Sequence, residues 1–251
     1  MDHQNYVNMA RVQDRHWWFR GKRALLRRVL SRLELPEAAR ILDAGCGTGA
    51  NMKMLSEFGQ VWGMEYDDFA LEIAGKISGA TVARGFLPGD IPFGSQSFHL
   101  VTVLDVLSCI EADGAAIKAL ADRMVPGGWL VITAPAFDFL FSSHDLASHH
   151  HRRYTIPRLV SVVESQGLEV SFSSYFNTLL FLPIVFVRLM KKWLRLLEGD
   201  DVGVLPPAWI NTVLSVIFRL ESRVVGWGWS LPFGVSAVLV AQKPMAKGGG
   251  S

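Results

Sequence analysis

The sequence predicts an α/β fold, a doubly wound and mostly parallel sheet, on three observations. Short apolar runs alternate with runs of helical period from about residue 40 to residue 175. Glycine recurs at every second position directly after the first of those runs, and the second run ends on a carboxylate. In Ile41-Leu42-Asp43-Ala44-Gly45-Cys46-Gly47-Thr48-Gly49-Ala50, a strand closes on Asp43 and opens into a loop that leads to a helix start near Asn51. Glycines so spaced let the backbone turn sharply and approach a ligand, and the helix start adds free N–H groups and a positive dipole end. Roughly twenty residues later, Val61-Trp62-Gly63-Met64-Glu65 places a carboxylate where both hydroxyls of a ribose can meet it. This is the nucleoside-binding half of a Rossmann-like sheet.

Gly45, Gly47 and Ala50 also satisfy the dinucleotide spacing G-x-G-x-x-G/A, which leaves a nicotinamide dinucleotide open from the loop alone. Asp43 favours another cofactor. A carboxylate at the strand tip repels a pyrophosphate and attracts the ammonium of S-adenosylmethionine.

The elements follow in order. A basic helix over 21–33 carries Leu25, Leu26, Val29, Leu30 and Leu33 at helical spacing and ends at Pro36. Its cations Lys22, Arg23, Arg27, Arg28 and Arg32 read as a solvated face. Then come strand 40–44, helix 51–58, strand 61–65, helix 68–77 and strand 80–84. Beyond a Pro/Gly-rich loop lie a buried strand over 98–104, a helix over 112–124 and a strand over 129–134. The turn Val125-Pro126-Gly127-Gly128 supplies a helix stop and a positive-φ position. Helix 157–166, strand 169–175 and a last strand over 235–242 complete the pattern.

Between the last two strands, residues 176–233 are too long and too apolar for a hairpin loop. Over 184–197, Arg188, Lys191, Lys192 and Arg195 fall in one stripe and the remaining side chains are apolar. Over 208–225, Asn211, Ser215, Arg219 and Ser222 make a second narrow polar stripe, with Trp193, Trp209, Trp227 and Trp229 in or near the two helices. Cationic stripes edged with tryptophan favour a membrane interface. Pro183 and Arg188 interrupt the first run well short of a bilayer span. A lid over the active site and a homodimer face are the competing readings of the insert.

Composition bounds the rest. With 251 residues, net charge +2 and 50% hydrophobic residues, the chain holds one large domain with appendages, too balanced in charge to read as a nucleic-acid binder. The pI near 8.6 agrees, and the mean hydropathy of +0.25 puts excess apolar surface somewhere, which the insert explains. Two cysteines, Cys46 and Cys109, build no disulfide framework and fit a reducing compartment. Met1 to Asn5 lack the pattern of a signal peptide, which points to the cytoplasm. The expected organisation is an N-terminal helical extension over 1–36, a cofactor-binding domain over 37–175 and 234–245, the helical insert 176–233, and an artificial linker over 246–251 that plays no part in the fold.

Taken together, the chain resembles the class I S-adenosylmethionine-dependent methyltransferases over roughly residues 15–245. The resemblance is carried by ILDAGCGTGA, Glu65, Asp90-Ile91-Pro92-Phe93 with Ser97-Phe98-His99-Leu100-Val101, Leu104-Asp105-Val106-Leu107, and Met124 to Ile132. Trp17-Trp18-Phe19-Arg20, the segment His144 to Thr155, Tyr175-Phe176-Asn177 and Leu231 to Ser236 look like a bacterial subgroup associated with cell-envelope sugar and lipid enzymes. The resemblance implies a sheet whose last strand is antiparallel. It also implies a methionine amine near Asp43 and Gly45, loop contacts at Cys46, Gly47 and Gly49, and a ribose on Glu65. Adenine would lie between Met64 or Tyr66 and the turn Gly85-Phe86-Leu87, with Asp105 at the fourth strand's tip. Two departures stand out. Many relatives carry an acid where this chain has Phe86, and Glu-His where it has Ser108-Cys109.

After the fifth strand come His144, Asp145, His149, His150, His151, Arg152, Arg153 and Tyr154, on a loop that overhangs the ligand end of such a sheet. His144, His149 and Tyr154 are the catalytic candidates, as a base or orienting groups for a hydroxyl acceptor. Arg152 and Arg153, with Trp18, are the candidates for acceptor binding, as a clamp on an anionic group. A divalent metal on the histidines and Asp145 is a third reading; no metal ligand is assigned, because consecutive histidines cannot face one point. The expected function is O-methylation of an amphipathic or lipid-linked acceptor, with S-adenosylmethionine, by a protein peripheral on the anionic inner face of the cell membrane. A soluble small-molecule methyltransferase and a non-catalytic cofactor-binding scaffold are the alternatives.

Overall fold

The computed structural model describes residues 3–76, 80–193 and 204–245. It opens with α1 (His3–Val12), α2 (Trp17–Leu30), β1 (Arg40–Ala44), α3 (Met52–Leu55), β2 (Gln60–Glu65), α4 (Asp68–Ala74) and β3 (Thr81–Arg84). It continues with β4 (Phe98–Leu104), α5 (Asp113–Arg123), β5 (Met124–Pro135), α6 (Ser143–Ala147), α7 (Ile156–Glu164) and β6 (Glu169–Phe176). The last elements are α8 (Phe181–Trp193), α9 (Ala208–Gly226) and β7 (Ser236–Gln242).

The seven strands form one sheet in the order β3-β2-β1-β4-β5-β7-β6. The first five run parallel, and β7 lies antiparallel between β5 and β6, as expected. Strand periodicity shows in the core: Leu130 and Ile132 of β5 join one apolar layer and Val131 the other, while Ala237, Leu239 and Ala241 of β7 alternate with Val238 and Val240. Both faces are therefore covered, as a parallel sheet needs. Residues of α5 and α7 pack in the first layer; residues of α2, α3 and α9 pack in the second.

Local differences from the sequence pattern have physical causes. α3 is shorter than the expected helix over 51–58, because the chain turns back early and Gln60 donates to the Ala39 carbonyl at 2.8 Å. β5 begins at Met124, straight after α5, so Pro126-Gly127-Gly128 lies inside a strand whose register shifts between Phe98 and Leu100; Gly127 holds φ +76°. α1 occupies a stretch that gave no periodic signal.

The insert departs most from expectation. On an ideal helix Asn211, Ser215, Phe218, Ser222 and Val225 share one face, with Trp209, Val213, Val216 and Leu220 opposite. The first set packs inward. Ser215, Phe218, Ser222 and Val225 are buried, and Asn211 accepts from the Trp17 backbone N–H at 2.8 Å and donates to the Arg15 carbonyl at 2.9 Å. Asn211 thereby satisfies an orphan donor at the start of α2. The second set is exposed, Trp209 by 72%. Asn211, Ser215 and Ser222 of the narrow polar stripe thus lie on the packing face of α9, because small side chains admit α2, whereas Arg219 is exposed and the apolar face is outermost.

α2 answers that close approach with Gly21. A Cβ there would lie 2.2 Å from Cδ1 of Phe218, so only glycine fits. Phe218 in turn stacks on Phe176 and meets Trp18, with centroids 6.0 and 5.6 Å apart. The expected solvated face of α2 holds for Arg27, Arg28 and Arg32, which are exposed, Arg27 in a bidentate pair with Glu57. It does not hold for Lys22, which is buried, or for Arg23, which donates to the Gln13 carbonyl. Gly21→Ala should destabilise the fold by about 1–3 kcal/mol through overpacking, outweighing the ~1 kcal/mol gained in helix propensity. A urea midpoint equal to or above wild type would contradict this packing.

Candidate active site

The carboxyl ends of β1, β2, β4 and β5 open onto a cavity of about 810 Å³ that is also walled by α1, α2, α8 and the loop after β5. Parallel strands direct their carboxyl ends to one edge, which is why residues far apart in sequence meet there.

At one end lies the glycine loop. Gly45, Gly47 and Gly49 have φ of +79°, +55° and +80°. The N–H groups of Gly45 and Cys46 both donate to the Met64 carbonyl, at 2.8 and 2.9 Å, which ties the loop to β2. A Cβ on Gly47 would meet only Met9 Cε, at 3.8 Å, so the missing side chain leaves room along the cavity wall. Glu65 is buried in that wall. Its carboxylate accepts from Gly47 N at 2.9 Å, from Tyr66 N at 3.0 Å, from Asp67 N at 3.1 Å and from the Tyr6 hydroxyl at 3.3 Å. Tyr66, Phe86 and Leu87 line the same end, the first two about half exposed.

Behind the loop, Asp43 is buried. Thr102 donates to its Oδ1 at 2.7 Å, and its Oδ2 has no partner among the described residues. Burial pushes the carboxyl up to about 6, the neighbouring Glu65 adding to that, while Thr102 and Lys22 oppose it. An under-satisfied carboxylate beneath a left-handed glycine loop, with a second carboxylate on the wall, fits a ligand bearing a cationic amine and vicinal hydroxyls. That is the chemistry of S-adenosylmethionine.

In the centre, Lys22 Nζ meets Asp105 Oδ2 at 2.6 Å, and Thr133 donates to Oδ1 at 3.0 Å. Asp105 has φ +63°. Burial acts to raise its carboxyl, but the Lys22 charge and hydrogen bond and the Thr133 hydrogen bond hold it below the ordinary carboxylate range.

The histidine-rich loop folds around Asp145 of α6. Arg153 makes a bidentate pair with it, at 3.0 and 2.7 Å, and also donates to the Ala136 carbonyl. His150 Nδ1 lies 2.9 Å from Asp145 Oδ1. Burial favours the protonated acid, yet the hydrogen bonds from His150 and Arg153 and the Arg153 charge hold Asp145 far below the usual range. In the neutral imidazole an ionised Asp145 holds the His150 proton on Nδ1, so that Nε2 is the acceptor, in a residue that lines the cavity.

The structure brings Gly45, Cys46, Gly47, Glu65, Tyr66, Phe86, Leu87, Asp105, Trp18, His149 and Arg153 to the cavity wall. Asp43 and Gly49 sit behind that wall, and the side chain of His144 lies outside the described residues. Two expectations are corrected. The Tyr154 hydroxyl donates to Asp113 at 2.8 Å in the core, and burial, with Asp113 beside it, keeps its proton on, so it is no base. Arg152 pairs with the same Asp113 at 2.8 Å, away from the cavity, and Arg153 is spent on Asp145, so neither clamps an anion. Sequence reasoning missed Tyr6, Met9, Gln13 and Lys22, which belong to stretches with no site pattern. It named His150 without choosing it, since all three adjacent histidines line the cavity and only the contact with Asp145 sets His150 apart. Among the described residues no group of three or more His, Cys, Asp or Glu is placed to hold a metal ion.

Asp43 gives a pH signature of uncommon sign. Its folded pKa lies above the ordinary value of about 3.9, so its charge destabilises the fold above about pH 6, and that penalty fades as pH falls. Asp43→Asn should therefore raise Tm above about pH 6, with the difference from wild type shrinking between pH 6 and pH 4. A pH-independent difference, or a loss of Tm at pH 7, would contradict the burial argument.

The chain is similar to known proteins. A family model described as a methyltransferase domain matches residues 15–172. An N,N-dimethyltransferase of Streptomyces venezuelae acting on a dTDP-3-amino-3,4,6-trideoxy sugar is 32% identical over 41% of this chain and 45% of its own length. An O-methyltransferase of Aspergillus sclerotiorum is 26% identical over 57% of this chain and 58% of its own. The chain thus spans about half the length of the curated relatives it matches. Among solved structures, a chain of the complex between the Haloferax volcanii Trm112 methyltransferase activator and a methyltransferase superposes with a TM-score of 0.63 at 16% identity, covering 96% of this chain and 95% of that one. Phosphoethanolamine N-methyltransferase 2 of Haemonchus contortus, in complex with S-adenosyl-L-methionine, gives 0.57 at 16% identity over 88% of this chain and 52% of that one. These two likenesses speak to the fold, whereas the family match spans more than half of the chain and includes the glycine loop, Glu65 and Asp105. The chain belongs to the methyltransferase-domain family, within the class I methyltransferases whose cofactor is S-adenosylmethionine.

Proposed function

We propose that this chain transfers the methyl group of S-adenosylmethionine to a hydroxyl oxygen of an amphipathic or lipid-linked acceptor, working peripherally on the anionic inner face of the cell membrane. The observation that carries this reading is α8. Ile184 and Val187 line the cavity, as do Trp17 and Trp18, while Leu182 and Phe186 of the same helix are 73% and 66% exposed. One helix therefore joins the apolar part of the cavity to an apolar outer surface. α9 adds Trp209, Val213, Val216 and Leu220, with Trp227 and Trp229 close in sequence, all exposed. Exposed apolar area on this scale suits a lipid surface better than water. No described helix is long and apolar enough to cross a membrane.

Of the cationic stripe, only the Arg188 side chain lies among the described residues. Arg188 lines the cavity and donates to the Leu140 carbonyl at 2.7 Å. The side chains of Lys191 and Lys192, and all of Arg195, lie outside the described residues. The proposed attachment rests on the apolar faces, and anionic lipid would strengthen it. Arg188 also favours a second reading, α8 as a lid over a soluble acceptor, since its bond ties the helix to the loop after β5.

In the proposed site, Glu65 would hold the ribose hydroxyls, the glycine loop the methionine end, and Tyr66, Phe86 and Leu87 would flank the base. The cofactor, when bound, supplies an electrophilic methyl group on a sulfonium. The protein's task is then to position the acceptor and accept its proton. His150, with Nδ1 on Asp145, offers Nε2 for that proton, and His149 beside it would orient the acceptor. A neutral amine needs no base before it attacks, whereas a hydroxyl gains from one, which favours oxygen as the acceptor atom.

His150→Ala should lower turnover by about 10²–10⁴-fold and leave S-adenosylhomocysteine affinity unchanged. The assay is label transfer from S-adenosylmethionine into lipid and polar extracts, with calorimetry for affinity. Unaltered turnover would remove His150 from the mechanism, and label confined to the polar extract would move the acceptor to a soluble molecule.

Flotation with anionic vesicles tests the attachment. The double substitution Leu182→Ser with Phe186→Ser should cut partitioning at least about tenfold, as each buried side chain contributes roughly 1.5–3 kcal/mol. Wild-type protein that stays out of the vesicle fraction at low salt would favour the lid or a homodimer face instead.

A further inference from the structure

We infer that Asn177 is the recognition residue for the acceptor, reading with its carboxamide a neutral group that both donates and accepts hydrogen bonds, such as a sugar hydroxyl; this rests on the methyltransferase reading above. Asn177 is 0% exposed and lines the cavity, yet neither its Oδ1 nor its Nδ2 meets a hydrogen-bond partner among the described residues. A buried amide left without partners is costly, and a native fold retains one where a ligand completes it.

Its backbone is built to present it. Asn177 follows directly on β6 at φ +62°, a left-handed conformation that asparagine tolerates better than most residues. Glu221 of α9 holds it there: the buried carboxylate accepts from the backbone N–H groups of Asn177 and of Leu179, the second at 2.9 Å. The fold thus directs a carboxylate at the main chain of this turn while leaving the side-chain amide unused.

Position in the sheet assigns that amide to the acceptor. The glycine loop, Glu65 and Asp105 follow β1, β2 and β4, whereas β6 is the far edge, three strands beyond β4. At ~4.8 Å per strand, Asn177 stands roughly 14 Å from the tip of β4, too far to share the loop end of the site. The wall shared with it includes apolar Trp18, Ile184 and Val235, and also Ser236, which pairs with Phe176 one residue before it. A neutral amide in a wall with these apolar groups selects an uncharged polar group attached to an apolar body. A phosphate or carboxylate would find one weak donor there.

Octyl β-D-glucoside below its micelle concentration is a suitable probe, titrated into protein saturated with S-adenosylhomocysteine and labelled with ¹⁵N-asparagine. The chain has five asparagines, so the side-chain pair that disappears in Asn177→Gly identifies the residue. Glycine keeps both the left-handed backbone and the N–H that Glu221 binds. The glucoside should move the Asn177 pair and bind about tenfold more weakly to Asn177→Gly, with S-adenosylhomocysteine affinity within about twofold of wild type. Asn177→Asp, which loses the donor and adds charge, should weaken it at least as much. Octyltrimethylammonium, with the same chain and no hydrogen-bonding head, should leave the pair unmoved. An unmoved pair with the glucoside, or equal movement with both amphiphiles, while S-adenosylhomocysteine still binds, overturns this inference alone. Failure of S-adenosylhomocysteine to bind overturns the methyltransferase reading and this one with it.

Discussion

The ion pair between Lys22 and Asp105 joins the parts of this molecule that sequence keeps apart. It fastens α2 to the carboxyl end of β4 at 2.6 Å, with the ammonium buried. Such a pair adds little net stability, because desolvation offsets much of the attraction; its effect is positional. One residue earlier on the same helix, Gly21 accepts Phe218 of α9. α2 is therefore held by the sheet's reactive edge on one side and by the insert on another. The cavity exists because both attachments hold α2 across the strand ends.

A division of labour among carboxylates follows. Glu65 is fixed by three backbone N–H groups and the Tyr6 hydroxyl, with only Gly47 N on Oε2, so that oxygen keeps acceptor capacity for a ligand. Asp105 is paired with a lysine and Asp145 with an arginine and a histidine. Asp43 alone of these four keeps a buried oxygen with no partner among the described residues. The three paired acids are fixed in position by their partners, and the fourth is held at a raised pKa by burial, which favours a cation brought close to it. Preorganised charge of this sort needs no rearrangement when a ligand arrives.

The insert reverses the usual rule for surface helices. Small polar side chains of α9 face the protein and its aromatic and aliphatic side chains face outward, because close helix contact demands small groups and the asparagine among them caps a neighbour. α8 divides its surface differently, between the cavity wall and the exterior. The excess hydropathy of the chain thus has a location, on helices that border the acceptor's half of the site.

The sequence by itself determined the alternating α/β order, the glycine loop with its left-handed backbone, Glu65 one strand later and Asp105 at the tip of β4. Each of these is local: strand period, glycine spacing and distance along the chain are enough to define it. It also marked the loop after β5 and the apolar insert as unusual. Only the tertiary structure decided which members of those segments matter. Tyr154 and Arg152 look reactive in the sequence, yet both close on Asp113 in the core. His150 and Arg153 close on Asp145, and Lys22 leaves an apparently solvated face for a buried one. Tyr175-Phe176-Asn177 stands out in the sequence only as a resemblance, without a role, until Glu221, 44 positions away, is seen to hold the Asn177 backbone. Side-chain direction in a loop, and the partner a buried charge finds, depend on contacts between distant segments, which no local periodicity encodes.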